Sequence, residues 1–488
     1  MFIRKVTSRN STCFQIGEKR EGRFKMILHV GCATEPVQIE ALRMKALQLL
    51  HDEQRRYQLD LFPSTSTSLP TAKLSGWQIT GYHRVFGKVY DSIGFPHNLL
   101  RDLVIARIAH PKSKAATVRY MGNYLGIPIK KDVVYRFLDT LDKRKLTQIA
   151  FDFVSRNHPK GISVCFYDVT TLYFETTVED EFRQKGFSKD HRMDMPQILI
   201  GLFVDSRGYP FDIHWFEGKT FEGHTFSQAM NSIQSQYKFS TLTVVADAGM
   251  LSENNLRYLQ ERGIRYIVGA RLKSLSDSLT EEILTHPFST QSFYQTILKK
   301  QRFIVDFSEQ RAHQDKKNRE RTLLRLREKL SQKKTIIKKS KYLKLIGKQK
   351  VVGIDEAQIL YDQKFDGLKG YYTNLEEEIA VTDIMDQYRQ LWHVEKAFRM
   401  SKHDLCERPI YHSQPNRIKA HILLCFVSLL VLKETETQLR KLNCTVEKAM
   451  ELLGQVGQGK VRVGNVMLTA ESEVNELTLS ILKLFAGH

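Results

Sequence analysis

Cysteine is scarce in this sequence, and the cysteines that occur are dispersed. Six stand among 488 residues, and no two have the two-residue spacing of a zinc ribbon. The spacing therefore indicates neither a zinc ribbon nor a disulfide framework. His421 and Cys425 are four residues apart on a predicted helix, but two ligands do not make a metal site. A buried core position is the better interpretation of this pair.

Long apolar runs are also missing. The longest is ILLCFVSLLVL at residues 422–432, which is too short to span a bilayer and predicts a buried helix. The first ten residues, MFIRKVTSRN, lack the apolar core of a signal peptide. We therefore expect a reduced, cytoplasmic protein that has no membrane partner.

Acidic residues are few relative to basic ones. The chain has 54 Asp and Glu against 74 Lys and Arg, which gives a formal net charge of +20 and a pI near 9.5. A charge of this size indicates a polyanionic partner, and nucleic acid is the usual one, while an anionic membrane surface is a weaker candidate. Hydrophobic residues make up 42% and the mean hydropathy is -0.35. These values predict a soluble globular chain of roughly three domains.

The first part of the chain is predicted to hold small elements and a linker. Residues 1–60 predict a hairpin followed by a helix, with helical periodicity over 36–57. Residues 61–73 are rich in Pro, Ser and Thr and predict a linker. The pattern over 74–157 is mainly helical, and we expect this region to bind DNA. Residues 113–141 within it fit a helix-turn-helix or, alternatively, a plain packing of helices.

A different pattern begins at residue 158. Over 158–271, three meandering strands are followed by helix, strand, helix and strand. This is the order of a ribonuclease H-like core, so we expect an α/β fold with a mixed five-stranded sheet and flanking helices. Residues 272–364 interrupt that core and predict an insertion domain. The core resumes over 365–435 with a strongly helical run, and 436–488 predict a C-terminal helical region.

The insertion contains a strongly basic stretch, KKNRERTLLRLREKLSQKKTIIKKSKYLK, at residues 316–344. A solvated helix is the usual explanation of such a charge run. In a chain that is already basic, a surface that faces phosphates is an equally good explanation. The charge alone does not decide between the two.

Three acidic residues stand out by position. Asp168 lies inside the strand CFYDVTTLYFE, on the same alternation as the apolar Phe166, where desolvating a lone carboxylate costs roughly several kcal/mol. Asp247 ends the strand after the first helix, and Glu395 lies on the long helix after the interruption. Because the first and fourth strands of such a core are neighbours, Asp168 and Asp247 are expected to converge, with Glu395 laid beside them. Three oxygen ligands of this kind suit two Mg²⁺ ions.

The helix that carries Glu395 also carries basic residues. Tyr388, Arg399 and Lys402 lie at helical spacings from Glu395, hence near its face. Arg399 and Lys402 are therefore expected to hold phosphates beside the carboxylate. A surface helix with ordinary ion pairs is the alternative.

Five segments resemble bacterial insertion-sequence transposases of the DDE superfamily, in the group with a strand-rich insertion before the catalytic Glu. They are FYDVTTLYFE, VVADAGMLSENN, YIVGARLK, FDGLKGYYTN and YRQLWHVEKAFR. The resemblance covers most of the chain. It implies that Asp168, Asp247 and Glu395 are the catalytic, metal-binding residues.

The signature of this group is Tyr, two residues, Arg, three residues, Glu, six residues and Lys. Tyr388, Glu395 and Lys402 fit that spacing, whereas Leu391 stands at the Arg position. Arg389 follows the tyrosine directly, and Arg399 is the other residue able to supply the missing charge. The resemblance thus implies four DNA-binding residues, namely Tyr388, Arg389, Arg399 and Lys402.

The resemblance further implies a DNA transposase that binds the ends of its insertion sequence, cleaves them and joins them to target DNA by Mg²⁺-dependent phosphoryl transfer. Two Mg²⁺ ions are the expected cofactor, with Mn²⁺ as a substitute. Double-stranded DNA and a second copy of the chain are the expected partners, at the nucleoid of a bacterial cytoplasm. One alternative is a catalytically inactive domesticated DNA-binding protein, which the three acids disfavour. The other is a stand-alone metal-dependent ribonuclease H-like nuclease, which would need neither the N-terminal region nor the insertion.

Overall fold

The structure is a computed structural model in which two compact units are distinguished. The residues it describes are 1–8, 11–57, 73–159, 161–187, 194–250, 252–288, 293–331, 340–346, 350–463 and 466–487. The first unit comprises Met1–Val85, Arg119–Ile129 and Glu447–Gly487, and the second comprises Phe86–Val118 and Lys130–Val446.

The fold mixes strands and helices throughout. The described strands are β1 (Phe2–Thr7), β2 (Thr12–Arg20), β3 (Arg23–Ala33), β4 (Lys73–Ile79), β5 (Val164–Tyr173), β6 (Gln197–Asp205), β7 (Pro210–Glu217), β8 (Thr243–Ala246), β9 (Arg265–Ala270), β10 (Phe293–Leu298), β11 (Gln301–Phe307), β12 (Leu343–Ile346), β13 (Lys350–Ile354), β14 (Leu368–Thr373), β15 (Gly457–Val463) and β16 (Val466–Glu471). The described helices are α1 (Pro36–Tyr57), α2 (Lys88–Ile93), α3 (Leu99–Ala109), α4 (Lys114–Tyr124), α5 (Lys131–Leu138), α6 (Lys143–Arg156), α7 (Glu222–Gln236), α8 (Glu253–Glu261), α9 (Asp277–Thr285), α10 (Glu309–Ser331), α11 (Glu356–Gln363), α12 (Val381–Arg389), α13 (Trp392–Arg399), α14 (Pro415–Leu439), α15 (Val446–Leu453) and α16 (Glu476–Ala486).

The first unit holds two antiparallel sheets of three strands each among the described residues. One has the order β1-β2-β3, and α1 packs on it. The other has the order β16-β15-β4. The C-terminal region therefore contains a hairpin as well as the predicted helices, because β15 pairs with β16. The strand β15 also pairs with β4.

A disulfide joins Cys13 to Cys32 in the first sheet, in contrast to the expectation from the cysteine spacing. The two cysteines are 19 residues apart, which is not a recognisable motif. The antiparallel register of β2 and β3 nevertheless places them directly opposite each other. The pairing of the strands, which spacing does not reveal, is what brings the two sulfur atoms together.

Other expectations for the N-terminal region have mixed outcomes. The helix α1 spans the residues predicted to be helical, and β1 adds a third strand to the predicted hairpin. Apart from Lys73, the predicted linker at 61–73 lies outside the described residues. Residues 74–157 begin in β4 and continue as five helices among the described residues. The helix-turn-helix within 113–141 stays a prediction.

The second unit is built on a sheet of eight described strands in the order β10-β11-β14-β9-β8-β5-β6-β7. The strands β5, β8 and β9 run parallel, and the other neighbours are antiparallel. The sequence predicts five strands, and the additional ones are β14, β11 and β10. They arise because β14 pairs with β9, and the insertion contributes the hairpin β10–β11 to the same sheet.

The two faces of this sheet are covered by different helices. On β5, the hydroxyl of Tyr167 lies 3.1 Å from the hydroxyl of Thr225 on α7. The adjacent Phe166 has its ring centre 6.2 Å from that of His393 on α13. Since successive residues of a strand point to opposite faces, Asp168 shares the face of Phe166. The carboxylate is therefore on the α13 side of the sheet.

The apolar run at 422–432 lies within α14, and every residue of that run is buried, as predicted. This helix contacts α2, α3, α5, α6 and β7 of the same unit. None of the described helices is both long and apolar enough to cross a membrane.

Close packing of β5 against β6 gives a testable prediction. A Cβ atom at Gly201 would lie 2.4 Å from the hydroxyl oxygen of Tyr167, whose side chain is fully buried. We expect Gly201→Ala to lower the free energy of unfolding by about 1–3 kcal/mol, because overpacking forces the ring from its position. Urea denaturation of the two proteins measures the difference. Gly353→Ala is the matched control, because a Cβ there meets no heavy atom within 4 Å; equal losses for both variants would contradict the packing explanation.

Candidate active site

Two of the three predicted acids are brought together by the register of parallel strands. The pairing of β5 with β8 ends at Tyr167 and Ala246, so Asp168 and Asp247 are the next residues on neighbouring strands and point to the same face. Asp168 is partly buried and Asp247 is exposed. The Oδ1 atom of each accepts a hydrogen bond from the following backbone N–H, at 2.7 Å in both cases.

The third acid reaches the same place from α13. This helix packs on β5 and β6, and Glu395 lies at its middle. Glu395 is exposed by its surface area, yet partial loss of solvent around its carboxylate raises its pKa. The negative charges of Asp168 and Asp247 raise this pKa further, while Lys369 and Arg399 lower it. The three carboxylates therefore share one electrostatic environment on one face of the sheet.

Tyr388 of α12 lies against this cluster. Its side chain is 2% exposed, and its ring centre is 4.7 Å from that of Tyr371 on β14. Burial raises the pKa of the Tyr388 hydroxyl, and the charge of Asp247 raises it further. A Cβ atom at Gly269 of β9 would be 2.4 Å from this hydroxyl oxygen. The absence of a side chain at Gly269 thus makes room for Tyr388 beside Asp247.

Lys369 on β14 is a charged residue of the cluster that sequence reasoning missed. Its Nζ atom is 4.7 Å from the ring centre of Tyr388. Burial is the main cause that lowers the pKa of Lys369, whereas the charges of Asp247 and Glu395 raise it. The residue stands in the segment FDGLKGYYTN, but only the pairing of β14 with β9 shows that it approaches the carboxylates.

Arg389 is directed toward another part of the sheet. It forms ion pairs with Asp386 at 2.9 Å and with the buried Asp306 of β11 at 3.6 Å. Asp306 also accepts a hydrogen bond from the Tyr371 hydroxyl at 2.9 Å and pairs with Arg311 at 3.1 Å. Arg389 therefore contributes to a network centred on Asp306, next to the carboxylate cluster.

The two remaining basic residues of the predicted site have different surroundings. Arg399 is exposed at the end of α13, and its charge lowers the pKa of Glu395. Lys402 lies in a π-helical turn, Met400–Asp404, which is wider than an α-helical turn. Lys402, seven residues after Glu395, is therefore not placed two regular α-helical turns from it. The positive charge of Lys402 lowers the pKa of the buried Glu407.

The donor atoms of the cluster fit a hard divalent cation. All three side chains supply carboxylate oxygens, which Mg²⁺ and Mn²⁺ prefer. The repulsion that raises the pKa of Glu395 is also what a bound cation would relieve. Among the described residues, no three His, Cys, Asp or Glu side chains are already close enough to hold one ion. The chemistry of the donors fits a metal, and ligation would require these side chains to approach each other further.

The family to which these residues belong is shown by comparison with known proteins. The family model described as the transposase DDE domain matches residues 159–431, more than half of the chain, and that span contains all three carboxylates. The chain belongs to this family. No curated protein matches the chain.

Solved transposase structures have a weaker likeness to this chain. The piggyBac transposase synaptic complex with hairpin DNA, determined by cryo-electron microscopy, matches 82% of this chain and 78% of its own, with a TM-score of 0.39 and 10% identity. The Mos1 transposase paired-end complex with the left transposon end matches 46% of this chain and 66% of its own, with a TM-score of 0.16 and 8% identity.

The raised pKa of Glu395 predicts a pH-dependent effect on stability. Because the pKa is higher in the folded state than in the unfolded one, ionisation of Glu395 destabilises the fold, and this loss develops as pH rises from the unfolded value of 4.5 through the folded value. In chelator-treated protein, Glu395→Gln should therefore melt at a higher temperature than the wild type near pH 8, and at the same temperature near pH 4. Differential scanning calorimetry at both pH values measures this.

Glu377→Gln is the matched control for this measurement, because Glu377 is an exposed glutamate of the same unit. We expect this variant to follow the wild type at both pH values. A Glu395→Gln protein that gains no stability near pH 8 would contradict the repulsion inferred among the three carboxylates.

Proposed function

We propose that this transposase-family chain binds the ends of an insertion sequence, cleaves them and joins them to target DNA. The observation that carries the proposal is that Asp168 and Asp247 follow the paired strands β5 and β8, and that their charges act on Glu395 of α13, which packs on β5. These acids lie within the span matched by the transposase DDE domain. Phosphoryl transfer needs little more from a protein than position and charge.

We further propose that the centre of the second unit is a ribonuclease H-like core. Three meandering strands, β5 to β7, are followed by β8 beside and parallel to β5, and then by β9 beside β8. This order supports the proposal, and β14, β11 and β10 would then extend the core at its β9 edge. The N-terminal helical region would precede the core as a DNA-binding region, and the insertion would interrupt the core as an accessory region.

Divalent metal ions are the proposed cofactor, as is general in this family. Asp168, Asp247 and Glu395 would hold two Mg²⁺ ions, with Mn²⁺ as a substitute. When bound, such ions activate the attacking hydroxyl and stabilise the leaving oxygen at phosphorus. The clustering of the three acids and the raised pKa of Glu395 support this assignment.

The surrounding residues would arrange the acids and the substrate. Tyr388 has almost no exposed surface, so we assign it to holding Asp247 in position instead of contacting DNA. Lys369 and Arg399, whose charges act on Glu395, would bind the phosphates next to the cleavage site through charge-assisted hydrogen bonds. Arg389 and Lys402 would contact DNA farther from the acids. Two copies of the chain would act together, one for each end of the element.

Strand cleavage by acid variants tests the proposed catalytic set. In assays with DNA that carries the inverted repeats flanking the gene, Asp168→Asn, Asp247→Asn and Glu395→Gln should each lower the cleavage rate more than about a hundredfold. Binding of the same DNA, measured by gel shift, should stay close to that of the wild type because the acids do not hold phosphates. The exposed Asp383 of α12 gives the matched control, Asp383→Asn, which should cleave normally.

The same assay separates the three candidate functions. Cleavage followed by joining of the cut ends to a second DNA is expected of a transposase. Cleavage without joining would indicate a nuclease, and binding without cleavage in either Mg²⁺ or Mn²⁺ would indicate an inactive DNA-binding protein. An acid variant that cleaves at the wild-type rate would remove that residue from the catalytic set.

Lys369 gives a second test of the site, because sequence reasoning did not select it. Lys369→Met keeps the length of the side chain and removes its charge, so the cleavage rate should fall by about tenfold or more while DNA binding changes less. Lys364→Met, at an exposed position five residues earlier, is the control and should behave as the wild type. If Lys369→Met cleaves as fast as Lys364→Met, Lys369 has no part in the reaction.

A further inference from the structure

The second unit contains a cavity of about 320 Å³ whose walls are basic. Its volume is at the low end of the range of about 300–1,000 Å³ for ligand sites. Four of its lining side chains are basic, namely Arg107, Lys114, His412 and His421. Burial lowers the pKa of both histidines, so the positive charge is that of Arg107 and Lys114. Tyr411, which is 68% exposed, also lines it, so the cavity reaches the surface. None of the three carboxylates of the candidate active site lines it.

Two of these cations are buried with incomplete partners. Arg107 of α3 and Lys114 of α4 are each 3% exposed. The Nη1 atom of Arg107 donates a long hydrogen bond of 3.4 Å to the carbonyl oxygen of Leu405, and its Nε atom has no hydrogen-bond partner within the described part of the chain. A buried donor in this state is destabilising unless something else satisfies it.

Lys114 lies against a neutral group. Its Nζ atom is 3.2 Å from Nδ1 of His421, and burial together with the charges of Lys114 and Arg107 holds the pKa of His421 well below its usual value. Burial, and next the charge of Arg107, lowers the pKa of Lys114 to about 7. The ammonium group of Lys114 therefore lies beside a neutral imidazole and a second cation, and neither of them neutralises its charge.

The buried acid in the neighbourhood is shared among several cations. Glu407 is 2% exposed and accepts a hydrogen bond from the hydroxyl of Ser401 at 2.7 Å. The charges of Lys402, Arg107 and Arg408 all act on it, in that order, against the burial that raises its pKa. This one buried carboxylate is therefore shared among three cations, of which Arg107 lines the cavity.

The N-terminal end of α4 adds partial positive charge to the cavity. The cavity is lined by the first two residues of α4, Lys114 and Ala115, and by Ser113, which precedes the helix. The first N–H groups of a helix have no acceptor within the helix, and its N-terminal end is partially positive. The hydroxyl oxygen of Ser113 accepts a long hydrogen bond of 3.4 Å from the N–H of Ala116, so the N–H groups of Lys114 and Ala115 are the ones suited to an anion. The buried Nε atom of Arg107, which has no partner within the described residues, points independently to an anionic ligand.

We propose that this cavity binds a phosphate group, held by Arg107, Lys114 and the N-terminus of α4. A phosphate has several acceptor oxygens, so it can satisfy the guanidinium, the ammonium and the helix N–H groups together. The phosphate can be a free ion or the terminal phosphate of a DNA strand, since both present the same chemistry to the cavity. This site does not depend on the proposed cleavage reaction.

Titration of the full-length protein with inorganic phosphate, followed by calorimetry and by melting temperature, tests the proposal. The wild type should bind phosphate and melt at a higher temperature when it is present. Lys114→Met should bind phosphate about tenfold or more weakly. Without phosphate, this variant should melt at a higher temperature than the wild type, because it removes a buried charge that lacks a counter-ion.

Lys112→Met is the matched control, because Lys112 is exposed, precedes α4 and does not line the cavity. It should bind phosphate as the wild type does. The wild-type titration alone overturns the proposal if no phosphate binds, whether or not the variants fold. Equal phosphate affinity of Lys114→Met and the wild type overturns it as well.

Competition with DNA distinguishes the two sources of the phosphate. A short duplex with 5′-phosphates and the same duplex without them are each added to wild-type protein and to Lys114→Met. Displacement of phosphate from the wild type only by the phosphorylated duplex, together with weaker binding of that duplex by Lys114→Met, identifies a DNA end as the ligand. Phosphate binding that neither duplex disturbs identifies the free ion.

Discussion

The structure around β5, β8 and α13 must accommodate the electrostatic repulsion among Asp168, Asp247 and Glu395. The register of β5 with β8 places two of the acids side by side, and the packing of α13 adds the third. Each of these arrangements is held by buried apolar contacts, which offset the stability that the ionised Glu395 removes. The positive charges of Lys369 and Arg399 reduce this repulsion at Glu395.

The close approach of backbone and side chain at Gly269 shows how tightly this region is built. Any larger residue there would displace Tyr388, whose hydroxyl lies beside Asp247. Tyr388 in turn packs on Tyr371, and the Tyr371 hydroxyl donates to Asp306, which also holds Arg389. A continuous set of contacts therefore links the acids to the insertion strand β11 across the face of the sheet.

Local patterns were enough to predict much of this centre. The elements over 158–271 follow in the predicted order, because strand alternation and helix periodicity depend on neighbouring residues. Asp168 could be selected since a carboxylate on an apolar face is anomalous. Lys369 could not, because its approach to the acids depends on the pairing of β14 with β9. The disulfide and the π-helical turn were missed for a similar reason, since sequence spacing assumes regular geometry and says nothing of strand partners.

The pairing of β9 with β14 has a consequence for the length of the insertion. Ala270 pairs with Gly370, so two adjacent strands close a loop of about 100 residues. The entropy lost on closing a loop grows only with the logarithm of its length, and a doubling costs about 0.6 kcal/mol for a flexible chain. Segments of the insertion beyond β10 and β11 can thus lengthen or shorten at little thermodynamic cost. The position of Lys369 is determined by the pairing of β14 within the sheet, so it does not depend on the length of the insertion between β9 and β14.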